Sequence, residues 1–300
     1  MYWSQVRILV GPPNLIMKIS VFGMPTFSQL IEDGFKKLGH TVSSENPDLI
    51  FANDPRGYDK SLILKKINPE ATLIFNLLDI PWHMPNAEIQ TKLLVKHYLS
   101  KADIITVISY KVQKDLEKFI SKKTHVIYNP KREVYYDKNI KKDDSFLFVG
   151  RANDPIKRIK LVYDSLLKIK DGLKNLKICG QHNPGFGNYL GYVSDHELSK
   201  LYNSSKYVFL PSKAEGIGLP MIEAMICGSI PILCSDNETA REFSPEEFIC
   251  EPDADSIVNK INDLNKNYLI KRDLALKFGK KYKKLFDKVS IAENILSIKK

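Results

Sequence analysis

The sequence predicts an α/β protein built from two doubly wound parallel sheets. Its 300 residues suit two domains of about 150 residues each. From Lys18 onwards, short β-branched runs alternate with helical stretches, and such alternation is typical of parallel strands joined by crossover helices. Both halves open with a strand that runs directly into a glycine, Gly23 or Gly150. The mean hydropathy of −0.23 is that of an ordinary globular chain.

The first half contains five predicted strands. One ends at Gly23, and an amphipathic helix over 28–38 follows, with Thr26 and Gln29 as a candidate capping box and Gly39 just beyond its end. The remaining elements are strands over 48–52, 72–77, 103–108 and 124–127 and a helix over 89–100. Residues 1–16 precede this pattern and contain a Gly-Pro-Pro break at 11–13, so we interpret them as an upstream extension or a misassigned start.

A polar, aperiodic stretch over 129–144 predicts an interdomain linker. It separates an acceptor-side domain over 17–143 from a donor-side domain over 144–300. The second half alternates in the same way, with a helix opened by the capping box of Ser194 and Glu197. Its elements are strands over 146–150, 176–179, 207–210 and 230–233 and helices over 157–170, from 194 and over 220–226. Two Rossmann-like domains facing across a cleft account for this order.

Composition limits the partners. The chain carries 45 Lys and Arg against 35 Asp and Glu, a net charge of +10, which favours a phosphate-bearing small molecule, a membrane surface or nucleic acid. It has no apolar run long enough for a membrane span and no signal-peptide pattern, so we expect a cytoplasmic protein. The cysteines, which lack metal-ligand spacing, are expected to be reduced and buried; they are Cys179, Cys227, Cys234 and Cys250.

The densest chemical signal is the segment 215–228. Gly216 and Gly218 allow close backbone approach to a ligand, and Pro220 suits the first turn of a helix whose free N–H groups would bind phosphate. Glu223 lies among apolar residues and needs a partner, either a ribose diol or a protein cation. Glu215, on the preceding loop, either accepts hydrogen bonds from a sugar or is a solvated loop residue.

A second signal follows the strand at 146–150. Arg151 comes directly after the strand's carboxyl end, where open α/β sheets bind ligands, and Lys157 comes where the next helix should begin. A bound diphosphate would relieve the repulsion between the two cations. The alternative is two solvated surface charges. Gly-x-Gly-x-x-Gly and Walker loops are absent from the sequence, which argues against dehydrogenases and P-loop enzymes.

Together these motifs resemble the donor half of retaining glycosyltransferase family 4. The resemblance runs continuously over about 145–265. It rests on Gly150-Arg151 with Lys157, the segment 191–198, Leu210-Pro211-Ser212, the Glu215-x7-Glu223 spacing and Gly228-x-x-Pro231. A weaker resemblance to the acceptor half covers 47–50, 101–103 with Ser109, and 126–129.

The resemblance implies a GT-B fold and a retaining hexosyltransferase that uses a UDP- or GDP-sugar as substrate, without a cofactor. Arg151 and Lys157 would bind the diphosphate, Glu223 the ribose, and Glu215 the transferred hexose. The remaining implied donor-binding residues are Gly150, Gly216, Ile217, Gly218 and Leu219. Such enzymes generally need no metal, because cations and a helix dipole stabilise the leaving group. The Asp-x-Asp at 253–255 precedes a helix and is interpreted as an N-cap.

The acceptor half departs from the family pattern. Its first loop has a single glycine, Gly23, where members often have two, and Leu78 stands where many have histidine. Asp79 is the candidate acceptor-side residue. His83 could substitute for the missing histidine, although a lone loop histidine is more often simply polar surface.

Two other functions stay open. The protein could bind a nucleotide sugar without transferring it, alone or as a partner-dependent subunit, which Leu78 and the first loop motivate. Nucleic-acid binding rests on charge alone, because the aromatic residues are not interleaved with the basic ones. The lysine-rich stretch over 279–300 is either a solvated helix face or a surface for peripheral membrane association with a lipid-linked acceptor.

Overall fold

A computed structural model describes residues 16–80 and 86–299, and all but the last residue of the predicted extension at 1–16 lies outside these ranges. In the first half the described strands form one parallel sheet in the order β2-β1-β3-β4-β5-β6. Its strands are β1 (Lys18–Phe22), β2 (Thr41–Val42), β3 (Leu49–Ala52), β4 (Thr72–Leu77), β5 (Ile104–Val107) and β6 (Thr124–Val126). All four residues of β3 are buried, as expected for a central strand covered on both faces.

The second half repeats this architecture. Its described strands form a parallel sheet in the order β12-β11-β10-β7-β8-β9. They are β7 (Asp143–Val149), β8 (Leu176–Cys179), β9 (Asn188–Gly191), β10 (Ser205–Leu210), β11 (Ile230–Cys234) and β12 (Ile249–Cys250). The predicted two-sheet α/β fold is confirmed, because each sheet is parallel and flanked by helices.

The helices connect and cover these strands. In the first half they are α1 (Pro25–Lys37), α2 (Tyr58–Ile67), α3 (Ala87–His97) and α4 (Tyr110–Leu116). In the second they are α5 (Ile159–Leu166), α6 (Asp195–Ser204), α7 (Leu219–Ile226), α8 (Glu238–Phe243), α9 (Ala254–Lys266), α10 (Tyr268–Leu285) and α11 (Lys288–Ile298). Lysines on the last turns of α10 are exposed around a buried Tyr282, so this part of the lysine-rich stretch forms an exposed helix face.

Several predicted boundaries agree with the structure and one cap does not. The bounds of β4 and β8 are those predicted, and the capping box of Ser194 and Glu197 is present. Asp253 accepts a hydrogen bond from the Ser256 amide, as an N-cap should. The prediction of a capping box formed by Thr26 and Gln29 is wrong. Helix α1 begins earlier, at a proline whose fixed φ suits the first turn, and its N-cap side chain makes no capping hydrogen bond.

The chain passes between the two sheet units twice. The first passage is the interdomain segment (residues 127–142) between β6 and β7. The second lies between α10 and α11, because α11 returns to pack against α1 of the first unit. The passages touch: the Lys131 amide donates to the Phe286 carbonyl (2.9 Å), and the rings of Tyr128 and Phe286 stack at 4.9 Å. The last helix, predicted within the 144–300 domain, thus packs on the first unit, and the domain limits themselves stay a prediction.

The packing of α11 requires a glycine on α1. A Cβ atom at Gly34 would collide with the Lys288 carbonyl and lie 3.1 Å from Ala292 Cβ. The absent side chain therefore lets the two helix backbones come into direct contact, and it explains a glycine in the interior of α1, where glycine costs about 1 kcal/mol relative to alanine.

We predict that Gly34→Ala destabilises the protein although alanine favours helix, because the new methyl group meets backbone that cannot rotate away. The expected loss in free energy of unfolding is about 1–3 kcal/mol, measured by urea denaturation. Lys36→Ala, on an exposed position of the same helix, is the control and should change little. A higher unfolding midpoint for Gly34→Ala would contradict the packing described for α11.

Candidate functional site

The carboxyl edges of the two sheets face each other. Leu78 follows β4, Ile108 follows β5, and Gly216 lies on the loop after β10. A Cβ atom at Gly216 would collide with the Leu78 carbonyl oxygen and lie 2.9 Å from Ile108 Cδ1. The glycine at 216 is therefore needed for contact between the units. This contact brings the 215–218 loop beside Asp79.

The two predicted phosphate-binding cations each have a carboxylate partner in the structure. Lys157 Nζ lies 2.5 Å from Glu215 Oε1, with the two side chains 17% and 13% exposed. Arg151 Nη2 lies 2.5 Å from Asp154 Oδ2 on its own loop, and the Arg151 side chain is mostly exposed. The structure thus gives each cation a carboxylate partner, and it brings Lys157 and Glu215, which were predicted from separate motifs, into contact.

Lys157 owes its position to a short turn rather than to a long helix. The predicted helix over 157–170 begins two residues later, at Ile159, and Lys157 ends a 3-10 turn started by Pro155. Asp154 caps this turn by accepting from the Ile156 amide at 3.1 Å. Although burial opposes ionisation of Asp154, its hydrogen bonds from Arg151 and this amide hold its pKa below the ordinary value.

The loop that carries Glu215 leads into α7. Gly218 is the N-cap residue with φ +73°, a left-handed conformation that favours glycine, and no side chain caps the first turn. Pro220 lies in that turn, as the sequence predicts. Thr239, on α8, donates through Oγ1 to the Glu215 carbonyl at 2.6 Å and so fixes the loop from behind. The start of α7, with Ile217 and Leu219 beside it, is thus held next to the Lys157–Glu215 pair.

Glu223 is buried, with 3% of its surface exposed, and has protein partners. Tyr202 donates its hydroxyl to Glu223 Oε2 at 3.1 Å, and Arg132 Nη2 lies 3.9 Å from Oε1. Arg132 also pairs with Asp195. Burial raises the pKa of Glu223 to about 7, against the opposing effects of Arg132 and Tyr202. The sequence left open whether Glu223 pairs with a ribose diol or with a protein cation, and in the structure its neighbouring cation is Arg132. No sequence pattern had indicated Arg132 for this role.

A second contact between the units involves α8 and α4. Glu242 accepts hydrogen bonds from the Tyr110 amide (3.0 Å) and the Lys111 amide (3.2 Å) at the start of α4. Burial raises the pKa of this carboxyl, and the two amides oppose the shift. Sequence reasoning missed this pair, which joins positions about 130 residues apart. Because Thr239 lies on the same helix as Glu242, α8 contacts both the start of α4 and the Glu215 loop.

On the acceptor side, Asp79 Oδ1 accepts from the Ile80 amide at 2.8 Å and lies 3.7 Å from Lys111 Nζ. Gly23 is packed tightly, because a Cβ atom there would collide with the Asn53 side chain. The buried Asp54 accepts from the Met24 amide at 2.7 Å and further fixes this loop. The predicted acceptor-side residue His83 lies outside the described residues.

Other features give little indication of a ligand. A depression of about 470 Å³ lies behind the Arg151 loop, next to Asn153, Lys160 and Pro252, and does not include Lys157 or Glu215. Residues 16–80 and 86–299 contain no group of three or more potential metal ligands. Three cysteines are buried as expected, whereas Cys250 is half-buried. Within the same residues, none of the helices combines the length and the apolar character needed to cross a bilayer.

We predict that Glu223→Gln changes how stability depends on pH. The folded-state pKa near 7 exceeds the unfolded value, so the wild-type carboxyl loses stability as pH rises from about 4.5 to 7. Glutamine keeps the shape without the charge. Relative to wild type, the variant should therefore gain on the order of 1–3 kcal/mol between pH 5 and pH 8 in urea unfolding. The exposed Glu251→Gln serves as control, and a pH-independent difference for Glu223→Gln would refute the prediction.

Residues 187–285 match the model of the family described as Glycosyl transferases group 1. Two curated relatives are O-antigen mannosyltransferases. Mannosyltransferase B of Escherichia coli is 48% identical over 75 residues, which are 24% of this chain and 19% of that protein. RfbU of Salmonella typhimurium is 27% identical over 176 residues, which are 52% of this chain and 49% of that protein. The chain thus spans about half the length of these relatives or less.

Solved structures match over more of the chain. The Anabaena Alr3699/HepE structure in complex with UDP and glucose is 17% identical, with a TM-score of 0.73 over 94% of this chain and 99% of that one. Sucrose-phosphate synthase from Thermosynechococcus elongatus is 20% identical, with a TM-score of 0.67 over 91% of this chain and 78% of that one. This protein accordingly has the two-domain GT-B fold, and its segment 187–285 is similar to the family described as Glycosyl transferases group 1.

Proposed function

We propose that this protein is a glycosyltransferase that moves a hexose from a nucleoside diphosphate to an acceptor hydroxyl, with retention at the anomeric carbon and without a metal ion. The observation that carries the proposal is the Lys157–Glu215 pair, held at 2.5 Å beside the uncapped start of α7 and opposite Asp79. The group 1 match includes Glu215 and Glu223, and the mannosyltransferase relatives and the UDP complexes of Alr3699/HepE support a nucleotide-sugar donor.

The diphosphate takes the place of the carboxylates that pair with the two cations. Lys157 and the exposed Arg151 turn to the phosphate oxygens, while Gly150 and the backbone amides around 216–219 approach them without side-chain obstruction. Exposed ion pairs contribute about 0–1 kcal/mol, so the Arg151–Asp154 pair opens at little cost. Once Lys157 binds phosphate, Glu215 is released to accept a hydrogen bond from the hexose.

Transfer breaks the bond between the anomeric carbon and the phosphate oxygen and forms one to the acceptor oxygen on the same face. The acceptor proton passes to the departing diphosphate, which needs no histidine at Leu78. Lys157 and Arg151 stabilise the charge that develops on the leaving group. Asp79, held by Lys111 beside the Gly216 loop, orients the acceptor hydroxyl. Glu223 binds the ribose.

A second candidate function is nucleotide-sugar binding without transfer. Leu78 favours it, because the backbone carbonyl at this position is in contact with Gly216 and its side chain offers no proton acceptor. For the transferase, the acceptor is a glycan, a lipid-linked molecule or a small molecule, and peripheral association with a membrane is compatible with both candidate functions.

We predict that Arg151→Ala and Lys157→Ala each lower transfer at least a hundredfold without unfolding the protein, because each removes a charge from the leaving group. Release of UDP or GDP from UDP-glucose and GDP-mannose measures the rate. Lys160→Ala is a matched control, since this exposed lysine on α5 pairs only with Asp164 in the described contacts. Normal turnover in both variants would overturn the phosphate-site assignment.

We also predict that saturating UDP or GDP raises the melting temperature of the protein by a few degrees, because a ligand bound to the folded state adds about 2.7 kcal/mol at a hundred times its Kd. A DNA or RNA oligonucleotide should not do so. Stabilisation by nucleotide without any transfer would favour the non-catalytic candidate, and stabilisation by the oligonucleotide alone would contradict both candidates.

A further inference from the structure

The interdomain segment (residues 127–142) is hydrogen-bonded along α6 and is not a free linker between the two sheets. Ser199 donates its hydroxyl to the Val134 carbonyl at 2.9 Å. Asn203 accepts from the Lys138 amide at 2.8 Å and donates to the Tyr136 carbonyl at 3.0 Å. Both α6 side chains are buried, so this part of the segment belongs to the second sheet unit in structure.

Arg132, on the same segment, lies between two carboxylates. It pairs with Asp195 in the first turn of α6 and lies 3.9 Å from Glu223 on α7, with its guanidinium 5.7 Å from the centre of the Tyr135 ring. About a third of its side chain is exposed, whereas Glu223 is buried. Arg132 therefore links the buried carboxylate to the surface next to the start of α6.

The hydrogen bonding around Glu223 is incomplete within the described residues. The Tyr202 hydroxyl donates a hydrogen bond to Glu223 Oε2. The nearest cation to Glu223 Oε1 is Arg132 Nη2, and their separation of 3.9 Å is too long for a hydrogen bond. The Tyr135 hydroxyl, on a fully buried side chain, also lacks a hydrogen-bond partner within the same residues. The Tyr135 ring lies 5.7 Å from the Arg132 guanidinium and 5.7 Å from the ring of Tyr202. Glu223 Oε1, which makes no hydrogen bond within the described residues, and the buried Tyr135 hydroxyl both belong to side chains that lie beside Arg132.

We propose that the interdomain segment completes the nucleoside half of the donor site, with Arg132 as a positioning residue that orients the Glu223 carboxylate so that Oε1 accepts a ribose hydroxyl. This inference rests on the proposed function. Asp195 in turn holds Arg132. Burial raises the pKa of Glu223, and Arg132 is the strongest of the groups that oppose this shift. Without Arg132 the carboxyl would hold its proton more readily and accept hydrogen bonds less well.

Arg132 acts through the ribose and not through the phosphates, which distinguishes it from Arg151 and Lys157. Its effect should therefore depend on the sugar hydroxyls of the nucleotide. An arginine that only ties the segment to α6 would lack this dependence, because loss of the tie would weaken every ligand of the second sheet unit alike.

The test is calorimetric titration of the full chain with UDP and GDP, with their 2′,3′-dideoxy forms and with inorganic pyrophosphate. For whichever nucleotide binds the wild type more tightly, Arg132→Gln should weaken binding at least tenfold and change pyrophosphate binding less than twofold. The loss should largely disappear with the dideoxy nucleotide. Arg132→Lys should recover part of the affinity, and Asp195→Asn should give a smaller loss of the same kind. Arg241→Gln, an exposed arginine 4.0 Å from Glu246, is the matched control.

The outcomes separate the two proposals. If the wild type binds UDP, GDP and pyrophosphate too weakly to measure, the proposed function fails and this inference fails with it. If the wild type binds a nucleotide and Arg132→Gln binds it equally well, only the inference is overturned. An equal loss for ribose, dideoxy and pyrophosphate ligands would also overturn it. Should Arg132→Gln fold poorly, as judged by thermal unfolding, Arg132→Lys and Asp195→Asn decide by the same criterion.

Discussion

The contact between Gly216 and the Leu78 carbonyl is the constraint on which the site depends. It sets how closely the loop after β10 approaches the end of β4, and a side chain at this position would force the two units apart. The hydrogen bonds from the start of α4 to Glu242 fix the same spacing a short distance away. Because Thr239 also joins α8 to the Glu215 carbonyl, the Glu215 loop and the first unit are both in contact with a single short helix.

Each cation in the candidate site pairs with a nearby carboxylate, and the two ion pairs differ in strength. In the Arg151–Asp154 pair the arginine is exposed, so water screens the interaction from that side, whereas both Lys157 and Glu215 are mostly shielded and interact more strongly. A ligand that replaces both carboxylates must therefore itself be strongly anionic, as a diphosphate is. A neutral sugar could not make this exchange. The arrangement thus fits the nucleoside diphosphate donor proposed above on electrostatic grounds, before any contact with the base or the hexose is considered.

The sequence predicted the elements that follow from periodicity and capping, such as β4, β8, the Ser194–Glu197 box and α7. It also selected Lys157 and Glu215 from separate motifs, and the fold brings them together. It did not predict the pairing of Arg132 with Glu223 or of Glu242 with the α4 amides, because such contacts join distant positions and leave no periodic signal. The predicted capping box at Thr26 is absent because the proline one residue earlier starts the helix instead.

The two passages of the chain between the sheet units lie side by side, joined by the Lys131–Phe286 hydrogen bond and the stacking of Tyr128 on Phe286. The two connections therefore form one packed joint instead of two separate tethers. Loss of this packing would leave the relative placement of the two sheet units dependent on the contacts at Gly216 and Glu242, so a substitution at Phe286 should disturb a site to which it contributes no side chain.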